Sequence, residues 1–256
     1  MKIITYSDLH LEFGADIDPA PQESADLMVL AGDIITFKDF SPLKRFLRDW
    51  KKPVIYVTGN HEHYTLQSMP QDADRFSAWL AEELPHVQFL RDEAITIDGV
   101  HFFGGTMWTN FSGSNLQAMM TAKHGINDFR LIVNERGMLL SPEDTVRMHA
   151  TFVEKISAWL EEDRIGAHVV ITHHAPVINP NTKYRESSLV PAFNSLDMVA
   201  VIEKYQPDLW IYGHTHECDD QSIGKTRIIS NQAGYPNRDG TYECKDFDPK
   251  GLSVTL

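Results

Sequence analysis

Seven side chains of metal-ligand type stand at or just past the ends of short apolar runs: Asp8, His10, Asp33, Asn60, His173, His214 and His216. Three offer oxygen and four offer imidazole nitrogen. No cysteine is among them, which argues against a closed structural zinc site. Asp8 and His10 are two residues apart, so an extended backbone projects both to one side, within reach of one ion. Seven groups exceed what one tetrahedral ion uses, whereas two ions about 3.5–4 Å apart accommodate them. A carboxylate bridges two cations most readily, having two oxygens and a full charge. Asp33, following a glycine that permits close approach, is the expected bridge. Mixed nitrogen and oxygen donors suit Mn, Fe, Zn, Co or Ni and do not choose among them; Mn is the ion expected to support activity. A water held between two such ions has a lowered pKa and becomes a nucleophile near neutral pH, which is hydrolytic chemistry.

The elements that must bring these groups together are legible as strands. Ile3–His10, Leu27–Asp33, Val54–Glu62, Val169–His173 and Leu209–His216 each begin short, apolar and rich in β-branched or aromatic residues, the pattern of strands buried on both faces. Each delivers Asp, His or Asn past its C-terminal end, the edge where open α/β sheets build their sites. Helices are expected between them. One starts at Ser41-Pro42 with Leu43, Phe46, Leu47 and Trp50 on one face. A second covers about 71–84, a long one opens at Ser141-Pro142, and another covers about 195–205 with Leu196, Val199, Ile202 and Tyr205 inward. Short runs at 88–90, 94–97 and 101–104, the last two joined by Asp98-Gly99, read as a local antiparallel meander. Residues 12–25 read as loop, and 226–230 and 252–256 as final strands. One domain over 1–256 is expected, with a partly helical insertion at about 110–165 where periodicity is weakest.

Composition narrows the class. Apolar and charged fractions of 42% and 23% are those of a water-soluble globular chain. No apolar stretch is long enough to span a bilayer, and no signal peptide is visible. Two cysteines, Cys218 and Cys244, make no disulfide framework, so a reducing cytosol is the expected compartment. The formal charge of −13 repels long polyanions, so long nucleic acid is a poor partner. Two divalent ions would bring −13 plus 4 to about −9.

In chain order, Asp8-Leu9-His10, Gly32-Asp33, Gly59-Asn60-His61-Glu62, Thr172-His173 and Gly213-His214-Thr215-His216 resemble the signature of the calcineurin-like metallophosphoesterase superfamily: D-x-H, G-D, G-N-H-[DE], H, G-H-x-H. The resemblance implies an α/β fold, a four-layer αββα sandwich of two mixed sheets flanked by helices. It implies one metal on Asp8, His10, Asp33 and His216, and a second on Asp33, Asn60, His173 and His214. It also implies that His61 is a catalytic residue beside the metals. The expected reaction is in-line attack of a metal-bridging hydroxide on phosphorus, charge on the non-bridging oxygens being taken up by the ions. Imidazole has the intrinsic pKa to protonate the leaving oxygen, the role expected of His61. The Ser/Thr protein phosphatase branch carries Asp-Arg-Gly after its G-D element. Here Ile34-Ile35-Thr36-Phe37-Lys38 follows Asp33, and the substrate-binding arginine of that branch is missing. The expectation is therefore a small bacterial-type, dinuclear metal-dependent phosphoesterase acting on a small or medium phosphoester. Asp128, Arg130 and His174 are candidates to face that substrate, arginine being the natural bidentate partner of phosphate. Glu62 is expected to orient its loop. The rival readings are a nuclease on the same scaffold, which the acidic balance opposes, and a non-catalytic metal-binding scaffold, which the complete ligand set and His61 oppose. Mono- and diesterase remain open, as does the oligomeric state.

Overall fold

A computed structural model describes residues 1–14 and 17–256. Ala15 and Asp16, inside the loop expected over 12–25, lie outside the described residues. Among the described residues, eleven strands make two sheets. In the first, β1 (Lys2–Tyr6), β2 (Leu27–Ala31), β3 (Val54–Val57) and β4 (Val87–Phe89) run parallel, and β11 (Leu252–Thr255) lies antiparallel beside β1. In the second, β6 (Val100–Gly105), β7 (His168–Thr172), β8 (Leu209–Ile211) and β10 (Thr226–Ser230) are parallel neighbours. Its edges are antiparallel: β5 (Glu93–Ile97) on β6, and β9 (Asp219–Ile223) on β10.

The layer order follows from alternation along the strands, since successive side chains leave a strand on opposite faces. Ile3, Val29 and Ile55 point at the second sheet and meet Phe102, Val169 and Ile211. Their neighbours Ile4, Met28 and Tyr56 point the other way, onto Leu43 and Phe46 of α1 (Ser41–Phe46) and Phe76 and Leu80 of α2 (Met69–Glu83). On the far side of the second sheet, Phe103, Val170 and Trp210 pack on Phe152, Ile156 and Trp159, and on Met198 and Ile202. Helix, sheet, sheet, helix is thus the arrangement, the αββα sandwich expected. Each fully buried Ile, Leu or Phe contributes about 1.5–3 kcal/mol. α1 has six residues, too short to persist alone, so packing and not helix propensity keeps it folded.

Between α2 and the long helix, α3 (Phe111–Ser114), α4 (Leu116–Gly125) and α5 (Asp128–Leu131) build a small apolar cluster of their own, with Phe111, Met119, Ala122 and Phe129 packed on Tyr64 and Trp108. α6 (Pro142–Glu161) opens with a reciprocal cap: Asp144 N donates to Ser141 Oγ at 3.2 Å, and Ser141 N to Asp144 Oδ2 at 2.9 Å. Such a cap stabilises by about 1 kcal/mol.

Two expectations are corrected. The meander over 88–104 is split between sheets: Val87–Phe89 extends the first sheet parallel to β3, and only β5 and β6 form the hairpin, turning through Asp98 (φ 48°) and Gly99 (φ 77°). Leu90 buries into the core between the sheets and marks the crossing. Short apolar runs report burial and not the strand they pair with, which is why the sequence pattern mislocated β4. The helix expected over 195–205 begins three residues later, as α8 (Met198–Tyr205), and a separate short helix, α7 (Val190–Phe193), precedes it. Leu196 falls before α8 begins and is 39% exposed.

Candidate metal centre

The strand ends converge where the two sheets meet, and the backbone there is unusual. Asp8 (φ 53°), His10 (φ 45°), Asp33 (φ 54°), His214 (φ 75°) and His216 (φ 51°) all occupy the left-handed region. Non-glycine residues held there cost of order 1–3 kcal/mol each and persist only where the surroundings over-determine them. Each such turn swings a side chain off its strand axis toward one common point. Asp8 also ties the sheets together, its Oδ1 and Oδ2 accepting from His214 N at 2.9 and 3.0 Å. Gly59 is required by close approach: a Cβ there would overlap the Asp33 carboxylate and the His173 ring.

Two groups of donors result. His10 Nε2 lies 3.2 Å from His216 Nε2 and 4.0 Å from Asp33 Oδ2, and His216 Nε2 lies 3.6 Å from Asp8 Oδ1. His173 Nε2 lies 3.4 Å from Asp33 Oδ1, 3.1 Å from Asn60 Oδ1 and 3.1 Å from His214 Nδ1. The two oxygens of Asp33 therefore face different groups. All seven expected donors stand in this one place.

The outward nitrogens decide what the inward ones carry. His10 Nδ1 faces Glu12 Oε1 at 3.4 Å, His216 Nδ1 faces Glu243 Oε2 at 2.7 Å, and His173 Nδ1 faces the Ala31 carbonyl at 3.0 Å. Carboxylates and carbonyls only accept, so each of these nitrogens carries the hydrogen, and the neutral ring keeps a lone pair on Nε2. In the neutral form that binds metal, the Nε2 lone pairs of His10 and His216 face each other across 3.2 Å, and that of His173 faces carboxylate and amide oxygens. Acceptors aimed at acceptors repel unless a cation sits among them. Outward carboxylate or carbonyl partners are also how metal-bound histidines are held.

Electrostatics agree. Burial opposes an imidazolium at His173, yet Asp33, followed by Asp8, outweighs it and lifts the ring to about 10. Burial likewise opposes charge at His61 and His216. Asp33 and Glu12 outweigh it at His61, Glu243 and Asp8 at His216, and both are raised. His10 and His214 are pushed down, mainly by burial, and stay neutral. Without cations the carboxylates draw protons onto the rings, so the site is short of positive charge. The residues fit a pair of metal ions.

The surrounding shell is built from further residues. Glu62, fully buried, accepts from Gly59 N (2.8 Å), Ile34 N (2.9 Å), Asp33 N (3.0 Å) and Tyr56 OH (2.6 Å), and so locks the β2 and β3 loops together. His61 N donates to Asp33 Oδ1 at 2.8 Å. The His61 ring lies between Glu12 Oε1, 3.4 Å from Nδ1, and the Tyr235 hydroxyl, 3.0 Å from Nε2. Tyr235 also stacks on His10 at 4.5 Å.

The three residues expected to face substrate lie in different places. Asp128 is buried behind Asn60, accepting from its Nδ2 at 2.8 Å and from Tyr64 OH at 2.6 Å, which turns the Asn60 oxygen toward His173. His174 is buried against the His214 ring at 4.1 Å, with Nδ1 on the Thr106 carbonyl. Arg130 is exposed and donates to the His124 carbonyl. Sequence reasoning missed Glu12, Tyr235 and Glu243. Glu12 continues the alternation of Asp8 and His10 and could have been found; Tyr235 and Glu243 sit in a Gly/Asn-rich stretch with no local signal.

A sheet-rim cluster of carboxylates and imidazoles on an αββα sandwich is a site suited to metal ions. Comparison with known proteins makes the class specific: residues 1–218 match the model of the family described as calcineurin-like phosphoesterase, and the chain belongs to that family. It is a metal-dependent phosphoric ester hydrolase. Uncharacterized protein L509 of Acanthamoeba polyphaga mimivirus is 29% identical over 278 residues, covering 97% of this chain and 95% of that protein. Among solved structures, the phosphopantetheinyl hydrolase PptH from Mycobacterium tuberculosis is similar in fold, with a TM-score of 0.67, 20% identity, and 92% and 90% of the two chains covered. A dimetal phosphatase from Danio rerio has a TM-score of 0.55, 12% identity, and coverage of 90% and 86%.

Proposed function

We propose that this chain hydrolyses a small or medium phosphoester with a pair of divalent metal ions. One ion is held by Asp8, His10, Asp33 and His216, the other by Asp33, Asn60, His173 and His214. The observation that carries this reading is Asp33, whose Oδ1 faces His173 and whose Oδ2 faces His10. When bound, the ions supply Lewis acidity at phosphorus and a water acidic enough to serve as nucleophile.

The chain's own residues do the rest. His61 lines the cavity and holds a proton under the pull of Asp33 and Glu12, available to the leaving oxygen. Glu12 and Tyr235 fix the plane of its ring. Asp128 and Tyr64 occupy the Asn60 amide hydrogens, so that its oxygen is the atom presented inward. Glu62 keeps the two loops in register. Long nucleic acid is disfavoured as substrate by the −13 charge, and a small phosphoester fits a cavity of about 380 Å³.

The test is turnover of p-nitrophenyl phosphate and bis-p-nitrophenyl phosphate with Mn²⁺. Hydrolysis that stops on adding chelator and returns with metal is expected. Failure to turn over any phosphoester with both metals bound would favour the non-catalytic scaffold.

A further inference from the structure

The walls of the metal-lined cavity carry information about substrate charge. Among the described residues no lysine or arginine lines it, while Glu217 and Glu243 do. The cations on the flanking segments are engaged elsewhere: Arg130 donates to the His124 carbonyl, Arg185 donates to the Pro180 carbonyl at 3.0 Å, and Lys183 lies over the Tyr184 ring at 4.7 Å, under the field of Glu243 and Glu217. A phosphomonoester carries close to two negative charges at neutral pH, because its second pKa is about 6; a diester carries one. Asp8 and Asp33 take up two of the four positive charges a divalent pair brings, and the rim adds two carboxylates. One negative charge on the substrate is nearer balance than two.

Shape points the same way. Ile126, Leu189, Val190 and Phe193 form an apolar wall. Phe193 stands against His214, ring centroids 4.9 Å apart, whereas His61 stands against His10, 4.4 Å apart. The proton donor and the apolar wall thus flank opposite histidines of the cluster. A diester has two organic groups to place in those two positions; a monoester has one.

We infer that the substrate is a phosphodiester. Its leaving oxygen lies at His61, and its retained organic group lies on the wall of Ile126, Leu189, Val190 and Phe193. The inference rests on the phosphoester reading above. Water oxygen bonds to phosphorus and its protons pass to solvent, the bond from phosphorus to the leaving oxygen breaks, the His61 proton ends on that oxygen, and His61 takes a proton back from solvent, so that one proton is released per turnover at neutral pH. The products are an alcohol and a monoester, whose added charge faces Glu217 and Glu243 and speeds release.

Two p-nitrophenol-releasing substrates decide it on the manganese-loaded chain: p-nitrophenyl phenyl phosphate and p-nitrophenyl phosphate. The diester is expected to show kcat/KM at least about tenfold higher. Calorimetric titration with diphenyl phosphate and phenyl phosphate reads the same preference without turnover, with diphenyl phosphate binding more tightly. Leu189→Arg places a cation in the wall and should move the kcat/KM ratio toward the monoester by about tenfold. Ile126→Lys, on a different segment, repeats the test if the first variant fails to fold. Equal or better use of the monoester, with a ratio indifferent to the folded wall variant, overturns the inference. No turnover of either ester sinks the phosphoester reading instead, and the two failures are distinguishable.

Discussion

Two cavities of comparable size share no lining residue, and they differ in what their polar groups face. The larger, about 530 Å³, is lined by Met69, Phe89, Trp108 and Met148 with Arg91 and Arg147. Its ions satisfy each other or the surface: Arg147 pairs with Asp144, and Arg91 with Asp74 at 3.5 Å. The smaller, about 380 Å³, is lined by Asp33, Asn60, His214 and His216, whose donor atoms converge with those of His10 and His173. Strain does not separate them, because Asp92, Met107 and Trp108 in the larger cavity also have positive φ. Nor does volume. What separates them is convergence: in one the charges are neutralised by neighbours, in the other the donor atoms of Asp and His gather within reach of one another, as a cation site requires.

The comparison can be broken or sharpened by substitution. Asp33→Asn removes the shared charge, and metal content should fall for both ions, with kcat/KM down by about 10³ or more. Loss of only one ion, measured by elemental analysis, would contradict the sharing. His61→Ala should keep both metals and slow poor leaving groups by about 10²–10⁴ while sparing p-nitrophenol esters; uniform slowing would remove the proton-donor role.

The larger cavity predicts stability effects. His63 borders it, and burial pushes its ring down to about 4. A histidine depressed from 6.5 in the folded state contributes stability that is present above pH 6.5 and is lost as pH falls to about 4. Roughly 3 kcal/mol is at stake, read as a falling melting temperature over that range, which His63→Gln should flatten. Glu62→Gln exchanges an acceptor for a donor among three backbone amides and should cost about 2 kcal/mol in denaturant unfolding. Arg91→Ala breaks an exposed ion pair with Asp74 and a distant contact over the Phe89 ring at 5.9 Å. It should change stability by less than about 1 kcal/mol and activity not at all, and a large loss of activity in a stably folded variant would mean that the larger cavity takes part in catalysis.

Much of the sandwich was readable because strands buried on both faces leave continuous apolar runs, and because Asp8-Leu9-His10 and Gly213-His214-Thr215-His216 group donors locally. What was unreadable is long-range. Tyr235 reaches His61 across 174 positions, and β4 joins the first sheet while β5 and β6, the next two runs, join the second. Neither leaves a local period. Asp128 was legible as a polar residue near the site, but its burial behind Asn60 depends on how α5 packs on Tyr64. A polar side chain in a weakly periodic stretch gives no hint of which way it points.

The central claim is that the two oxygens of Asp33 serve two cations at once. Elemental analysis of the manganese-loaded, desalted protein measures this directly. About two ions per chain are predicted, with neither retained fully by Asp33→Asn. One ion per chain, or two that survive that substitution, would contradict the account.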